Sequence, residues 1–314
     1  MEKIVRLVGV ILLTIAVFVL MSYVNHRIRI SKEDELFVPL GQQVKVNGYL
    51  INVYTEGSGA TTLVFMSGGG TCSPVLDFKS LYSLLSDEYR IVVIERAGYG
   101  FSDVVDVDRD IDSILSDTRQ ALAKVGVEGP VVLCPHSMSG IEAIYWAQSY
   151  PNEVSAIIGL DMAVPEAYGV YEPNLPMIRL GKFMADTGII RWIPGVAESD
   201  AIKYGTLTDA EKELYKIVFY RRSATKTMIN EVQQIKENAA LVAMNGKIDV
   251  PILAFSSSGQ GTGWVEEEWL DFQRTFIANS PNGKLVELDS SHYVHDIEYE
   301  RIAEEIGIFL SEIR

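Results

Sequence analysis

Cysteine, histidine and positive charge are scarce in this chain of 314 residues. Its two cysteines, Cys72 and Cys134, are too few for a disulfide framework. The four histidines and two cysteines show no spacing typical of a metal site. Residues 31–314 carry 41 acidic and 23 basic side chains. Because such a domain is repelled by phosphate groups, we expect no nucleic-acid partner.

Charge is absent from the 18 residues Leu7–Val24, a run long enough to cross a bilayer. Lys3 and Arg6 precede the run, as in a signal peptide, but no small-residue cleavage pattern follows it. Residues 1–30 are therefore predicted to form an uncleaved, single-pass transmembrane anchor. Basic residues flank both ends, and the common arrangement with the N-terminus inside favours an extracytoplasmic domain.

Beyond the anchor, short apolar runs alternate with segments of helical periodicity. Four of these runs are predicted strands, namely Thr62–Met66, Ile91–Ile94, Val131–Leu133 and Ala156–Leu160. The alternation predicts an α/β fold with a doubly wound, mostly parallel sheet. Asn47-Gly48 predicts a hairpin before it, and Pro74–Leu85 a helix within it. Residues 165–247 have helical patterns only, and the sheet resumes at Pro251–Phe255 and Lys284–Leu288.

One serine lies between a buried strand and a helix with almost no room to turn. Ser137 follows the strand Val131–Leu133 by a few residues, and a helix is predicted over Met138–Ser149. A turn this tight strains the serine backbone and exposes its hydroxyl above the sheet. The N–H groups at the helix start point toward any oxyanion formed there. Ser137 is thus a candidate nucleophile, the alternative being a serine-rich turn before an ordinary helix.

The segment around Ser137 resembles the nucleophile elbow of the α/β-hydrolases, G-x-S-x-G, with Pro135 and Ser139 in place of the two glycines. The segment Glu95–Ser102 is similar to the Asp-Arg-Pro-Gly-x-Gly-x-Ser turn of the same family. The resemblance implies a hydrolase core in residues 31–164 and 248–314 and an inserted helical cap in 165–247. It also implies an oxyanion hole made by the backbone N–H groups of Gly69 and Met138.

A serine hydroxyl needs a base, and this chain has four histidines to supply one. His292 follows the last predicted strand in a context that resembles the family's catalytic histidine loop, and we expect it to be the base. His295 is expected to pack or hydrogen-bond nearby. His136 adjoins the serine and should point away from its hydroxyl, and His26 flanks the membrane segment.

The carboxylate that would orient His292 is less clear from the sequence. The family's commonest position is the loop Ser256–Thr262, which has no carboxylate here. Some members of the family place the acid after the strand that follows the elbow, where this chain has Asp161. An aspartate at that place can also be purely structural, and Glu266 and Asp289 are then the next candidates.

The resemblance implies two-step acyl transfer from a small-molecule acyl substrate, with Ser137, Asp161 and His292 as the catalytic triad. We expect this mechanism to need no cofactor and no metal. The first expectation is a carboxylesterase or lipase. A prolyl-type aminopeptidase is the alternative, and the acidic residues Glu166, Glu172 and Asp186 of the insertion could then bind an amine. From another class, the chain could be a catalytically inactive, membrane-anchored binding or signalling protein on a hydrolase fold.

Overall fold

The structure, a computed structural model, describes residues 1–313 and is built on an eight-stranded sheet. The strands are β1 (Gln42–Val46), β2 (Tyr49–Glu56), β3 (Thr62–Met66), β4 (Arg90–Glu95), β5 (Val131–Pro135), β6 (Val154–Leu160), β7 (Ile252–Ser256) and β8 (Gly283–Glu287). Their spatial order is β1-β2-β4-β3-β5-β6-β7-β8. β2 runs antiparallel to β1 and β4, and all other neighbouring pairs are parallel. The predicted mostly parallel sheet is confirmed.

Thirteen α-helices surround or extend from the sheet in the described residues. They are α1 (Glu2–Glu33), α2 (Pro74–Asp77), α3 (Lys79–Leu85), α4 (Ile111–Lys124), α5 (Ser139–Ser149), α6 (Pro165–Tyr168), α7 (Leu175–Asp186), α8 (Asp200–Lys203), α9 (Asp209–Arg222), α10 (Lys226–Met244), α11 (Glu266–Ala278), α12 (Val294–Ile297) and α13 (Tyr299–Glu312). Short 3₁₀ helices span Pro151–Glu153 and Ile189–Trp192.

The prediction of a single helix over Pro74–Leu85 is wrong in one respect, because two helices occupy this range. α2 ends and α3 begins on either side of Phe78, whose ψ of −1° turns the chain between them. The Phe78 side chain is fully buried, with its ring centre 5.3 Å from that of Phe65 and 4.6 Å from that of His295. The break therefore places an aromatic ring in the core.

The central strands are apolar on both faces because helices cover both sides of the sheet. Val64 and Leu133 belong to a core shared with α4 and α5, whereas Leu63 and Val132 belong to one shared with α3 and α13. Each fully buried side chain of this size stabilises the fold by about 1.5–3 kcal/mol. The continuous apolar runs in the sequence follow from this double burial.

The predicted hairpin at Asn47-Gly48 is confirmed and joins β1 to β2. Both turn residues have positive φ, 50° for Asn47 and 99° for Gly48. Two-residue hairpin loops of this type need φ above zero at both positions, which asparagine and glycine tolerate best.

Between β6 and β7 the regular elements are helices throughout residues 165–247. The longest, α10, packs against α5 of the core and against α6. The borders of the predicted cap stay a prediction, but this helical segment supplies side chains to the site described below.

The N-terminal helix α1 is long and apolar enough to cross a membrane. Its first two-thirds expose large apolar side chains such as Leu7 and Leu13. The helix continues beyond the predicted anchor to Glu33, so it includes the start of the segment that follows residue 30.

Candidate active site

Ser137 lies at the turn between β5 and α5 and has a left-handed backbone with φ of 50°. A non-glycine residue in this region carries strain that the surroundings must hold in place. The Ser137 carbonyl accepts hydrogen bonds from the N–H groups of Gly140 at 2.9 Å and Ala163 at 2.7 Å. Its side chain is 7% exposed. The predicted sharp turn is therefore present, and it is fixed on both sides.

Two glycines permit the close packing around this turn. A Cβ at Gly68 would lie 2.8 Å from the Ser137 Cβ, and a Cβ at Gly140 would lie 2.2 Å from the Ala163 carbonyl oxygen. Ser139, where the family motif has a glycine, is buried and donates its hydroxyl to the Met66 carbonyl at 2.7 Å. This bond ties the start of α5 to the end of β3, immediately before the glycine-rich loop.

A cavity of about 190 Å³ lies at Ser137 and collects most of the predicted site residues. Gly69, Met138 and His292 line it together with the serine. The remaining wall is mainly aromatic and aliphatic, with Tyr168, Tyr171, Val232 and Ile235 from the helical segment. The structure therefore brings the predicted nucleophile, base and oxyanion donors to one small, partly apolar chamber.

Asp161 and His292 form a direct pair, with 2.6 Å between Asp161 Oδ2 and His292 Nδ1. Asp161 follows β6 and is fully buried, whereas His292 follows β8 and is 7% exposed. A neutral imidazole that donates Nδ1–H to a carboxylate keeps Nε2 free as a proton acceptor. The pair therefore holds the tautomer that a general base beside Ser137 requires.

Three further bonds hold the Asp161 carboxylate in place. Ser257 donates its backbone N–H to Oδ1 at 2.7 Å and its hydroxyl to Oδ2 at 2.6 Å. Trp269 donates its indole N–H to Oδ1 at 2.8 Å. Charge-assisted bonds of this kind are about twice as strong as neutral ones. Sequence reasoning missed both donors, although Ser257 lies in the loop where an acid was sought.

Comparisons with known proteins agree with this architecture. The family described as the alpha/beta hydrolase fold matches residues 61–183. The uncharacterised Bacillus subtilis protein YbdG is 35% identical over 321 residues, covering 99% of this chain and 98% of YbdG. The chain belongs to the α/β-hydrolase family.

Solved structures of other α/β-hydrolases share the fold at low sequence identity. An esterase from Thermogutta terrifontis has a TM-score of 0.67 and 16% identity, covering 87% of this chain and 99% of that one. An epoxide hydrolase from Vigna radiata has a TM-score of 0.67 and 18% identity, covering 86% and 97%. These likenesses establish the fold, and neither fixes the substrate.

The other candidate acids of this hydrolase lie elsewhere. Glu266 and Asp289 are both exposed. Asp289 lines a larger cavity of about 660 Å³, which shares His292 with the Ser137 cavity. Neither residue takes the place of Asp161 at the His292 Nδ1 atom.

His136 turns away from the Ser137 cavity and supports the histidine loop. Its Nε2 lies 3.2 Å from the His292 carbonyl oxygen, so Nε2 carries the hydrogen. Burial, and then the nearby His292 and His295 rings, hold the pKa of His136 well below its usual range. A neutral His136 thus fixes the backbone of His292, a role that sequence reasoning missed.

His295 belongs to a second, fully buried polar cluster. Its Nε2 lies 3.1 Å from Asp77 Oδ2, and Tyr215 of α9 donates its hydroxyl to Asp77 Oδ1 at 3.0 Å. Burial and the Asp77 charge raise the pKa of Asp296 well above its usual range. Atoms of Asp77, His295 and Asp296 that could hold a metal lie within 4.8 Å of one another. None of the three lines the Ser137 cavity.

The glycine-rich loop is anchored by a buried ion-pair network. Arg96 donates Nη1 to the Ser67 carbonyl at 2.8 Å and contacts Glu231 of α10 through Nη2 at 3.2 Å. Tyr99 also donates its hydroxyl to Glu231 at 2.6 Å. The segment Glu95–Ser102 therefore links the loop that carries Gly69 to the inserted helices. Its partners on α10 lie too far away in sequence to be predicted.

Tyr168 of α6 is a further site residue that sequence reasoning missed. It lines the cavity beside Ser137, and burial raises its pKa to about 12. The acidic residues suggested for amine binding are placed differently. Glu166, Glu172 and Asp186 are exposed, Glu172 pairs with Lys236, and Asp186 pairs with Lys182 at 2.8 Å.

Proposed function

We propose that this chain is a serine hydrolase that cleaves carboxylic esters through an acyl-enzyme intermediate. The observation that carries the proposal is the 2.6 Å pair of Asp161 and His292, because His292 lines the cavity that also contains Ser137. The fold it shares with a thermophilic esterase supports the same reaction class. A serine at the elbow favours acyl transfer over dehalogenation, which uses an aspartate at that position.

In the first step, Ser137 Oγ attacks the ester carbonyl while His292 Nε2 takes the hydroxyl proton. The N–H groups of Gly69 and Met138 stabilise the oxyanion of the tetrahedral intermediate. The intermediate collapses as the bond to the alcohol breaks, and His292 returns the proton to the leaving oxygen. Water, activated by the same histidine, then attacks the acyl-serine and releases the carboxylic acid and free Ser137.

The cavity lining supports a substrate whose acyl group is small or slender and partly apolar. Its volume of about 190 Å³ is below the 300–1,000 Å³ of typical drug-sized ligand sites. The aminopeptidase alternative gains no support from Glu166, Glu172 or Asp186, because all three are exposed. We therefore place ester hydrolysis first.

We also propose that α1 anchors the enzyme as a single transmembrane span. The 18 uncharged residues Leu7–Val24 lie within one continuous helix of 32 residues, and all of them except Val19 and Ser22 are exposed. The arrangement with the N-terminus inside would place the hydrolase domain outside the cytoplasm.

The first test is labelling of the full chain, in mild detergent, with a fluorophosphonate that reacts with activated serines. We expect the parent to be labelled, and Ser137→Ala and His292→Ala to lose the label. Ser258→Ala is the matched control, since this serine is close to His292 in the larger cavity and should leave labelling unchanged. A folded parent that stays unlabelled would overturn the proposal and favour the inactive binding protein.

A panel of short-chain esters and proline arylamides separates the two enzymatic alternatives. Ester hydrolysis that depends on Ser137 supports the esterase. Exclusive cleavage of the arylamides would replace it with the aminopeptidase.

A further inference from the structure

The last part of α1 is bound tightly to the helical segment that follows β6. Arg191, in the 3₁₀ helix Ile189–Trp192, donates both Nη groups to Glu33 at 2.8 Å and Nε to His26 Nδ1 at 2.9 Å. The Trp192 indole N–H donates to Ser22 Oγ at 3.0 Å, and its ring centre lies 6.2 Å from that of Phe18. α1 is therefore fixed against the enzyme and is not a loose tether.

The position of these contacts along α1 determines how deep Trp192 lies in the membrane that α1 is proposed to cross. A helix rises 1.5 Å per residue and the hydrocarbon core is about 30 Å thick, so a span takes about 20 residues. Counted from Leu7, the first residue after Arg6, that span ends near His26. Ser22 then lies about 6 Å and Phe18 about 12 Å below the membrane boundary.

This depth cannot be relieved by shifting or tilting the helix. An outward shift would pull Arg6 toward the hydrocarbon core, where a charged side chain is unfavourable. Tilting shortens the projected span and moves the boundary further toward Glu33, which lowers Trp192 still more. Any protein surface that contacts Ser22 and Phe18 must therefore enter the bilayer interface.

The surface next to these contacts has the composition of an interfacial element. Trp192 is 56% exposed and Ile193 41% exposed, although both are large and apolar. The preceding helix α7 exposes Met177, Leu180 and Phe183 by 49–60% and buries only Ala185 among its twelve residues. Such a contiguous apolar surface is unusual in water.

The basic residues on α7 are also typical of a helix that lies at a membrane interface. Arg179 is exposed, whereas Lys182 is partly exposed and pairs with Asp186 at 2.8 Å, so α7 has one more basic side chain than acidic ones. An interfacial helix has apolar side chains in the acyl region and basic groups at the lipid phosphates. The rest of the domain is strongly acidic, so this local charge is not a general property of its surface.

We propose that Met177, Leu180, Phe183, Trp192 and Ile193 form a membrane-docking surface that inserts into the bilayer crossed by α1. The docking surface rests on the proposed span of α1 but not on hydrolase activity. Its partner is the phospholipid interface of that membrane. Trp192 tolerates the depth because its only polar group is bonded to Ser22.

The test is fluorescence quenching of the full chain reconstituted in phosphatidylcholine vesicles with bromine on the upper acyl carbons. We expect bromolipid to quench part of the tryptophan emission, and Trp192→Phe to lose that quenched part. Trp264→Phe is the matched control and should keep it, because Trp264 packs against Phe272 in the core domain. Equal quenching in parent and Trp192→Phe would overturn the proposal.

A second variant tests the surface while leaving the reporter in place. Leu180→Glu combined with Phe183→Glu should reduce the Trp192 quenching several-fold, whereas Met244→Glu should not. Met244 is an 80% exposed apolar residue of α10 outside the docking surface. Undiminished quenching in the double variant would show that α7 does not insert.

Alkaline extraction of the vesicles tests only whether α1 crosses the bilayer, because a protein with a transmembrane helix resists extraction. Release by alkali would contradict the anchor and, with it, the docking surface. Retention without Trp192 quenching would contradict only the docking surface. Fluorophosphonate labelling of the same samples reports the proposed function independently of both.

Discussion

Two histidines three residues apart each pair with an aspartate, yet the two pairs lie in different surroundings. His292 and Asp161 are 2.6 Å apart at the edge of the Ser137 cavity, and the histidine keeps some exposure. His295 and Asp77 are 3.1 Å apart and both fully buried. The same pair of residue types thus occurs once beside the proposed nucleophile and once away from it.

The remaining partners of each aspartate differ as well. Asp161 is held by Ser257 and Trp269, from the loop after β7 and from α11. Asp77 is held by Tyr215 of α9, so the buried pair connects the core to the inserted helices. We infer that a histidine–aspartate pair becomes catalytic through its position beside a nucleophile, and that elsewhere it stabilises structure.

The largest expected effect separates the two histidines. His292→Ala should lower kcat for ester hydrolysis by about 10⁴-fold or more, because it removes the base. Its effect on stability should be the smaller one, because Ser257 and Trp269 still donate three bonds to the buried Asp161. His295→Ala should do the reverse. Loss of its ring leaves Asp77 buried without its partner and should lower the free energy of unfolding by about 3 kcal/mol.

Steady-state kinetics and thermal unfolding of both variants measure this contrast. The two variants should differ in opposite ways, one losing activity and the other losing stability. His295→Ala must therefore be assayed below its own unfolding temperature, where it is still folded. A His295→Ala enzyme that is stable but inactive would contradict the structural role assigned to the buried pair.

The aspartates should repeat the contrast with isosteric changes. Asp161→Asn keeps the shape but no longer favours Nδ1–H on His292, so kcat should fall by about 10³–10⁴-fold. Asp77→Asn should keep kcat within a few-fold and lower stability by about 1–3 kcal/mol. A near-normal rate for Asp161→Asn would move the triad acid to another residue.

The features that could be predicted from the sequence depend on residues that are close together in the chain. The hairpin at Asn47-Gly48 and the turn at Ser137 depend on residues a few positions apart, and φ near 50° at Ser137 agrees with the strain expected there. Gly69 and Met138 followed from the same local motifs, and both line the cavity.

The parts that it missed depend on packing between distant segments. Ser257 reaches Asp161 because β6 and β7 are neighbours in the sheet, which no local pattern reveals. Glu231 is 135 residues from Arg96, and Arg191 is 165 residues from His26. The choice among Asp161, Glu266 and Asp289 was open for the same reason, since side-chain placement after folding decides it.

Removing a donor to Asp161 is a finer test of the proposed catalytic pair of Asp161 and His292. Trp269→Phe removes one charge-assisted bond and keeps an aromatic ring, so we expect kcat to fall about tenfold with little change in KM. The matched change at the buried pair is Tyr215→Phe, which removes one bond from Asp77 and should change stability but not kcat. Equal kcat losses in both variants would mean that the two pairs are coupled.

The smallest expected effect concerns His136, whose ring centre is 4.6 Å from that of His292 and 4.7 Å from that of His295. Its pKa is well below 6.5 in the folded protein, so the unfolded chain binds more protons at lower pH. Its contribution to stability is therefore present above about pH 6.5 and is lost as the pH falls below that value. Through this one group, the free energy of unfolding changes by at most about 1.4 kcal/mol per pH unit.

Asp296 acts in the opposite direction, because its raised pKa stabilises the folded state at low pH and this contribution is lost as the pH rises. Total stability against pH would mix the two groups, so we compare the parent with His136→Gln. Gln can still donate to the His292 carbonyl but does not titrate. The stability difference between them should shift in favour of the variant by about 1 kcal/mol or more between pH 7 and pH 5. A pH-independent difference would mean that His136 is not held neutral between the two pairs.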